Sequence, residues 1–109
     1  MATVIVPPLP AIANVTLGAA NVCTRLTIPS GASRVSFKPR TSPAKLAVDP
    51  TLTDGGALGA VAYVELVADQ MYEVRVAGLA KVRGDGAYLF LACAAGAVVV
   101  EVLAEGGPA

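Results

Sequence analysis

The sequence contains no histidine and no tryptophan, and its 109 residues include two cysteines and only five aromatic side chains, three tyrosines and two phenylalanines. Histidine is the commonest general base and the commonest metal ligand in proteins, so its absence argues against most hydrolase triads and zinc sites. No motif places a lysine beside a serine as an alternative base. We therefore expect a protein that is not an enzyme and that needs no cofactor or metal.

Charge and long apolar runs are also scarce. Charged residues make up 15% of the chain and the eight basic side chains balance the eight acidic ones, so the total charge favours neither nucleic acid nor an anionic membrane as a partner. The longest apolar run, residues 87–100, has 14 residues, fewer than the roughly 20 that a membrane-spanning helix needs. The first residues lack the basic start of an export signal. We expect a protein made in the cytoplasm, with no membrane partner.

The two cysteines, Cys23 and Cys93, have small or apolar neighbours in the sequence. Small secreted domains usually carry several disulfides, whereas this chain can form one at most. No histidine is available to lower the pKa of either thiol. We therefore expect both cysteines to be buried packing residues in a reducing compartment.

What the chain does contain is apolar sequence, 55% of all residues, divided at short intervals by 11 glycines and 8 prolines. The segments between these turn residues are five to eight residues long and rich in valine, isoleucine, leucine and threonine, which is typical of an all-β domain. We predict an antiparallel β-sandwich or flattened barrel of about 7–9 short strands. Residues 1–12 would form an N-terminal arm, residues 13–104 the domain and residues 105–109 a tail.

Turn signals inside the domain predict three β-hairpins and one long loop, residues 49–59. The predicted hairpins join residues 21–28 to 33–38, 60–67 to 71–77, and 88–93 to 97–103. The last two of these segments are nearly continuous apolar runs, which favours the centre of a sheet buried on two faces, or an interface. Inward-facing positions give a predicted core of Val22, Leu26, Ile28, Val35, Phe37, Val64, Leu66, Tyr72, Val74, Val76, Leu89, Leu91, Val98, Val100 and Val102.

The charges are distributed unevenly along the chain. Residues 1–48 carry five basic side chains and no acid, whereas residues 49–109 carry three basic side chains and eight acids. The two parts therefore have net charges of +5 and −5. In a compact fold they would interleave into a mixed surface. The alternative is a basic edge, residues 34–45, that meets an acidic neighbour, including another copy of the chain.

Other small-molecule sites have weak support. The loop residues Asp49 and Asp54 supply carboxylates, but their spacing does not match a calcium-binding loop, so we interpret them as a solvated turn. Tyr63 and Tyr88 are the aromatic side chains left free to form a sugar-binding platform. The high apolar fraction, a proline-containing arm and apolar runs longer than one small core needs favour contact with another protein instead.

Three stretches carry a resemblance to a known class of proteins. They are Leu26-Thr27-Ile28-Pro29-Ser30-Gly31-Ala32-Ser33-Arg34-Val35-Ser36-Phe37, the segment 63–76, and the segment 88–103 with Ala95-Gly96-Ala97-Val98-Val99-Val100-Glu101-Val102. In layout and turn phrases, residues 13–104 resemble the small all-β virion proteins of tailed bacteriophages. This class includes capsid decoration (cement) proteins, head fibres or spikes, and neck or tail accessory proteins.

The resemblance implies a protein that binds the major capsid protein on the capsid surface of the virion, as a trimer or another multi-copy assembly. The arm would lie across a neighbouring subunit, and basic residues would meet an acidic capsid surface. The implied contact residues are Val4, Val6, Pro7, Pro8, Arg34, Lys38, Arg40 and Lys45. Two alternatives stay open: a head fibre, spike or neck-tail protein that binds a receptor or glycan through Tyr63, Tyr88 and the loop 49–59, and a free-standing bacterial sandwich domain.

Overall fold

A computed structural model describes residues 3–5, 9–29, 31–49, 51–79, 81–82, 86–94 and 97–106. In this part of the chain the strands are β1 (Thr3–Val4), β2 (Ala11–Leu17), β3 (Thr24–Ile28), β4 (Ala32–Pro39), β5 (Ala44–Ala47), β6 (Val64–Leu66), β7 (Tyr72–Arg75), β8 (Lys81–Val82), β9 (Gly86–Ala92) and β10 (Val98–Gly106). One 3₁₀ turn, Val76–Gly78, follows β7. The all-β prediction is confirmed.

The strands form two sheets that pack face to face as a β-sandwich. One sheet has the order β1-β3-β9-β5-β6, with β8 also pairing with β9, and the other has the order β2-β10-β4-β7. Two of the described strands, β1 and β8, have only two residues each. The eight longer strands fall within the predicted number and contribute four to each sheet.

The three predicted hairpins are wrong in the same way. Strands β3 and β4 lie in different sheets, as do β6 and β7, and β9 and β10. Each turn therefore carries the chain from one sheet to the other, and the two strands belong to different sheets instead of sharing a ladder. Glycine and proline indicate where a chain reverses direction. A hairpin within one sheet and a connection between two sheets need the same reversal, so these residues do not distinguish them. Which one forms depends on the strands that arrive from elsewhere in the chain.

The two long apolar runs occupy the sheet centres, as predicted, but only β9 is buried on both faces, because the outward residues of β10 are half-buried. Strand β9 lies between β3 and β5, and β10 lies between β2 and β4. The inward side chains of β9 join the main core, while Phe90 and Ala92 point outward into a second buried cluster with Cys23, Leu52 and Leu58. The loop between β5 and β6 thus covers the centre of the outer face of the six-stranded sheet.

Backbone hydrogen bonds fix this loop to the segment before β3. The Cys23 N–H donates to the Gly56 carbonyl at 2.8 Å, and the Gly55 N–H donates to the Cys23 carbonyl at 2.8 Å. The Leu58 N–H donates to the Asn21 carbonyl at 2.9 Å. Gly55 adopts a φ of +81°, a conformation that glycine enters without a steric penalty. The predicted loop is therefore packed and hydrogen-bonded.

The predicted core is largely confirmed. Eleven of its residues are buried: Leu26, Ile28, Val35, Phe37, Leu66, Val76, Leu89, Leu91, Val98, Val100 and Val102. Val22, Tyr72 and Val74 are half-buried, and Val64 is 56% exposed. Val64 and Val74 lie on β6 and β7, each at one edge of its sheet, where no further strand among the described residues lies beside them.

Both cysteines are buried and free, as predicted. Burial raises the pKa of the Cys23 thiol, and the negative charge of Asp54 adds to the effect. The Cys93 sulfur lies 3.8 Å from the Leu17 carbonyl oxygen, at the distance of a weak S–H donor. These thiols are packing residues.

The ends of the domain differ from the predicted boundaries. Strand β2 begins at Ala11, within the segment predicted as an arm, and β10 continues to Gly106, within the predicted tail. Strand β1 pairs in parallel with β3, and Ile5 is buried in the main core. The described residues 3–5 therefore lie against the domain's own six-stranded sheet.

Candidate interaction surface

The outer face of the four-stranded sheet stays accessible, and we call it the candidate face. Alternation along β2 directs Val15 and Leu17 into the core and leaves Ile12 on the outside, 76% exposed. On the central strand β10, the outward residues Glu101 and Leu103 are half-buried by their neighbours on β2 and β4. The sandwich thus presents this face because its other side is the core.

An apolar stripe crosses the candidate face. Ile12 lies opposite Leu103 in the β2–β10 ladder, and Met71, just before β7, is 61% exposed. These three side chains, with Glu101 and Val102, line a shallow depression of about 170 Å³. Exposed isoleucine and methionine side chains lie together at this place on the sheet. Covering them with a partner removes apolar area from water and so lowers the free energy of the complex.

Ion pairs border this stripe on both sides. Toward one side, Arg40 Nε donates to the Glu101 carboxylate. This hydrogen bond holds the pKa of Glu101 below its ordinary value, and the charges of Arg40 and Lys38 add to the effect, while partial desolvation opposes it. Toward the other side, Arg34 Nε lies 3.2 Å from Glu105 Oε1 and 3.8 Å from Glu73 Oε2. An apolar centre with a charged rim is the usual arrangement of a protein–protein contact.

The structure brings together three of the four basic contact residues predicted from the sequence. Arg34, Lys38 and Arg40 follow one another along β4 and its end, on the candidate face. Lys45 lies on β5 in the other sheet, where Nζ donates to Asn21 Oδ1 at 3.1 Å and sits 4.8 Å from the centre of the Tyr63 ring. The basic and acidic parts of the chain interleave, because Arg34 and Arg40 pair with Glu105 and Glu101.

Of the four contact residues predicted in the arm, the structure describes one, Val4. Val4 lies on β1 and is 60% exposed, at the edge of the six-stranded sheet. Val6, Pro7 and Pro8 lie outside the described residues. The candidate face and Val4 are thus on different sheets.

The sequence interpretation missed the apolar stripe. The sequence pattern places Ile12 in the arm and Met71 at the first position of the predicted strand 71–77, without connecting the two. A signal was present in residues 11–17, because Ile12 has the same alternation phase as Asn14 and Thr16. The outward phase of Ile12 thus predicts an apolar side chain on an otherwise polar strand face, while its neighbours on the face come from distant parts of the chain.

The groups considered for sugar or metal binding are arranged differently. Tyr88 is half-buried and its ring meets Phe90 edge to face at 5.7 Å, whereas Tyr63 is 45% exposed. Asp49 Oδ1 accepts hydrogen bonds from the N–H and hydroxyl of Thr51 at 2.9 and 2.7 Å, which lowers its pKa. The described residues include no cluster of three acidic or cysteine side chains that would hold a metal.

Comparisons with known proteins add no relative. Among the described residues, no helix has the length and hydrophobicity to cross a membrane. No protein-family model, no curated protein and no solved structure matches this chain.

Proposed function

We propose that this chain is a capsid decoration protein of a tailed bacteriophage, which binds the major capsid protein through the candidate face. The observation that carries the proposal is the apolar stripe bordered by ion pairs on an accessible sheet. The basic residues Arg34, Lys38 and Arg40, expected at a capsid contact, lie on that same face. The resemblance of residues 13–104 to small phage virion proteins supplies the class of partner.

The energetics of the face suit a protein that acts in many copies. Covering an exposed side chain such as Ile12 or Met71 contributes about 1.5–3 kcal/mol at most, and exposed ion pairs add about 0–1 kcal/mol each. One copy would therefore bind with modest affinity. Many copies on one shell stabilise it together through multivalency, and the charged rim would fix the orientation of each copy.

Lysines 38 and 45 allow a matched test of the face. Heads assembled without this protein, from the phage that encodes it, are incubated with purified wild-type protein or with Lys38→Glu or Lys45→Glu. We expect micromolar wild-type protein to occupy the heads and to raise the temperature at which they release DNA. Lys38→Glu should lower occupancy about tenfold or more, because it places a carboxylate against an acidic surface, whereas Lys45→Glu on the other sheet should bind like wild type.

The outcomes separate the function from the face. If wild-type protein does not bind the heads at micromolar concentration, the decoration function is wrong. If it binds but Lys45→Glu, and not Lys38→Glu, abolishes occupancy, the function stands and the assigned face is wrong. Circular dichroism of both variants checks that each retains the β-sheet spectrum.

One observation supports the alternative of a glycan-binding virion protein. Tyr63 is exposed and has the Lys45 ammonium over its ring, with Asn21 on the same ammonium. Aromatic faces beside hydrogen-bonding groups are the usual elements of a sugar platform. A glycan array in which wild-type protein binds and Tyr63→Ala does not would favour this function over decoration.

A further inference from the structure

Strand β7 forms an open edge of the four-stranded sheet. Among the described strands it pairs only with β4, through the register Arg34–Arg75, Val35–Val74, Ser36–Glu73 and Phe37–Tyr72. Glu73 and Arg75 point to the accessible side and are exposed, while Tyr72 and Val74 point to the core side and are half-buried. An unpaired edge of this kind is a template for another strand.

Arg75 lies in an unfavourable place within the single chain. It is directly opposite Arg34 in the β4–β7 ladder, and like charges in that position destabilise a strand pair. Arg34 has its own carboxylates, Glu105 and Glu73. Within the described residues no acidic side chain forms an ion pair with Arg75, so the arginine lacks a compensating charge.

An apolar groove accompanies the open edge. Val74 lines it together with residues from the adjacent edge of the other sheet, including Val48 and Val64, and its volume is about 370 Å³. Val48 is 51% exposed and Val64 is 56% exposed. The free edge and the uncovered apolar side chains thus lie on the same side of the sandwich.

We propose that two copies of this chain contact each other through β7. The two β7 strands run antiparallel about a twofold axis that passes midway between the two Val74 residues. In that register Val74 lies opposite the partner's Val74, and Glu73 lies opposite the partner's Arg75. Each copy then supplies the carboxylate that the other's Arg75 lacks, and the four-stranded sheets join into one sheet of eight strands. The grooves beside the two β7 strands meet at the new contact.

Charge selects this register over its neighbour. Residues that face each other in an antiparallel pair point to the same side of the sheet. A twofold axis normal to the sheet must therefore pass midway between two copies of the same residue. An axis through Glu73 would place Glu73 opposite the partner's Glu73, which is repulsive. The register centred on Val74 instead places Glu73 opposite the partner's Arg75 at two positions related by the axis. Of these two registers, the one centred on Val74 is complementary in charge.

Two charge reversals test the contact. We expect wild-type protein to sediment as a dimer at about 100 µM, whereas Glu73→Arg alone and Arg75→Glu alone should each raise the dimer Kd by about 10- to 100-fold, since both cross-strand pairs become repulsive. Mixing the two variants in equal amounts should restore the dimer, because every facing pair is again of opposite charge. Asn14→Arg and Asn14→Glu, on the far edge strand β2, should leave dimerisation unchanged.

A crosslink tests the register itself. Val74→Cys should form a disulfide-linked dimer on mild oxidation, since residues facing each other across an antiparallel pair are within disulfide reach, and Asn14→Cys should not. A wild-type monomer at 100 µM, a wild-type trimer, or a mixture of the two charge variants that stays monomeric would overturn the proposal. The test needs no capsid, so it stands apart from the decoration function.

Discussion

At the scale of single residues, the charged border of the candidate face consists of carboxylates paired with arginine side chains. Glu101 illustrates this, because it accepts a hydrogen bond from Arg40 and lies between β2 and β4 at the sheet centre. Its pKa is lower in the folded protein than in a free chain. The interaction with Arg40 therefore contributes to stability only while the carboxyl is ionised.

This gives a prediction for acid. The contribution of Glu101 is fully present above its ordinary pKa of 4.5 and is lost as the pH falls through the lowered pKa. Replacing Arg40→Gln removes the partner, so the decrease in melting temperature from pH 7 to pH 3 should be smaller in the variant than in wild type. Lys45→Gln, which removes a lysine bound to the Asn21 amide oxygen, serves as the control and should keep the wild-type decrease. An equal decrease in Arg40→Gln and wild type would contradict the assignment.

At the scale of elements, the loop between β5 and β6 acts as part of the fold. Leu52 and Leu58 pack on Phe90 and Ala92, on the outer face of the central strand β9. This packing explains why β9 could be so apolar: one face lies in the main core and the other under the loop. A strand covered on both sides loses the alternation of a half-exposed strand.

The loop's contribution can be measured with one truncation. Leu58 is 3% exposed, so Leu58→Ala should lower the free energy of unfolding by about 2–3 kcal/mol through lost burial and a residual cavity. Val4→Ala, at a valine that is 60% exposed, should change it by less than about 1 kcal/mol. Urea denaturation monitored by circular dichroism gives both values. A loss below 1 kcal/mol in Leu58→Ala would mean that the loop merely rests on the sheet.

The elements also show how far sequence reasoning reaches. The alternation of Leu26 and Ile28 with Arg25 and Thr27 correctly predicted which face of β3 is inward, and apolar runs correctly predicted the central strands. The pairing of strands was not accessible in this way. Turn residues such as Gly31 determine a reversal, whereas the antiparallel partner of β3 is β9, about 60 residues later in the chain. Long-range pairing depends on the packing of the whole core, which no local pattern contains.

The same limit applies to the candidate face. The basic residues on β4 were identified from the sequence as one group with Lys45, but only the fold separates Lys45 onto the other sheet. Ile12 and Met71 are 59 residues apart in the chain and come together through β10 and β4, which lie between their strands. Residue types could be read from the sequence, and their neighbours could not.

At the scale of the whole molecule, seven of the nine connections between consecutive described strands carry the chain from one sheet to the other, and only β5–β6 and β8–β9 stay within one sheet. The main core takes side chains from both sheets, so neither sheet can open without exposing the other. We expect one cooperative unfolding transition, with coincident curves by circular dichroism and by tyrosine fluorescence in urea. Two separated transitions would mean that part of the sandwich is stable without the rest.

The loop over the six-stranded sheet also gives the molecule two unlike sides. Its hydrogen bonds to Cys23 and the packing of Leu58 close that side, while the opposite sheet keeps its stripe of isoleucine, leucine and methionine. If copies of this protein bind a shell through the candidate face, this loop lies on the opposite side of each copy, turned toward solvent. The exposed corner at Gly59 and Ala60 would then be the natural place to carry a foreign epitope on an assembled particle.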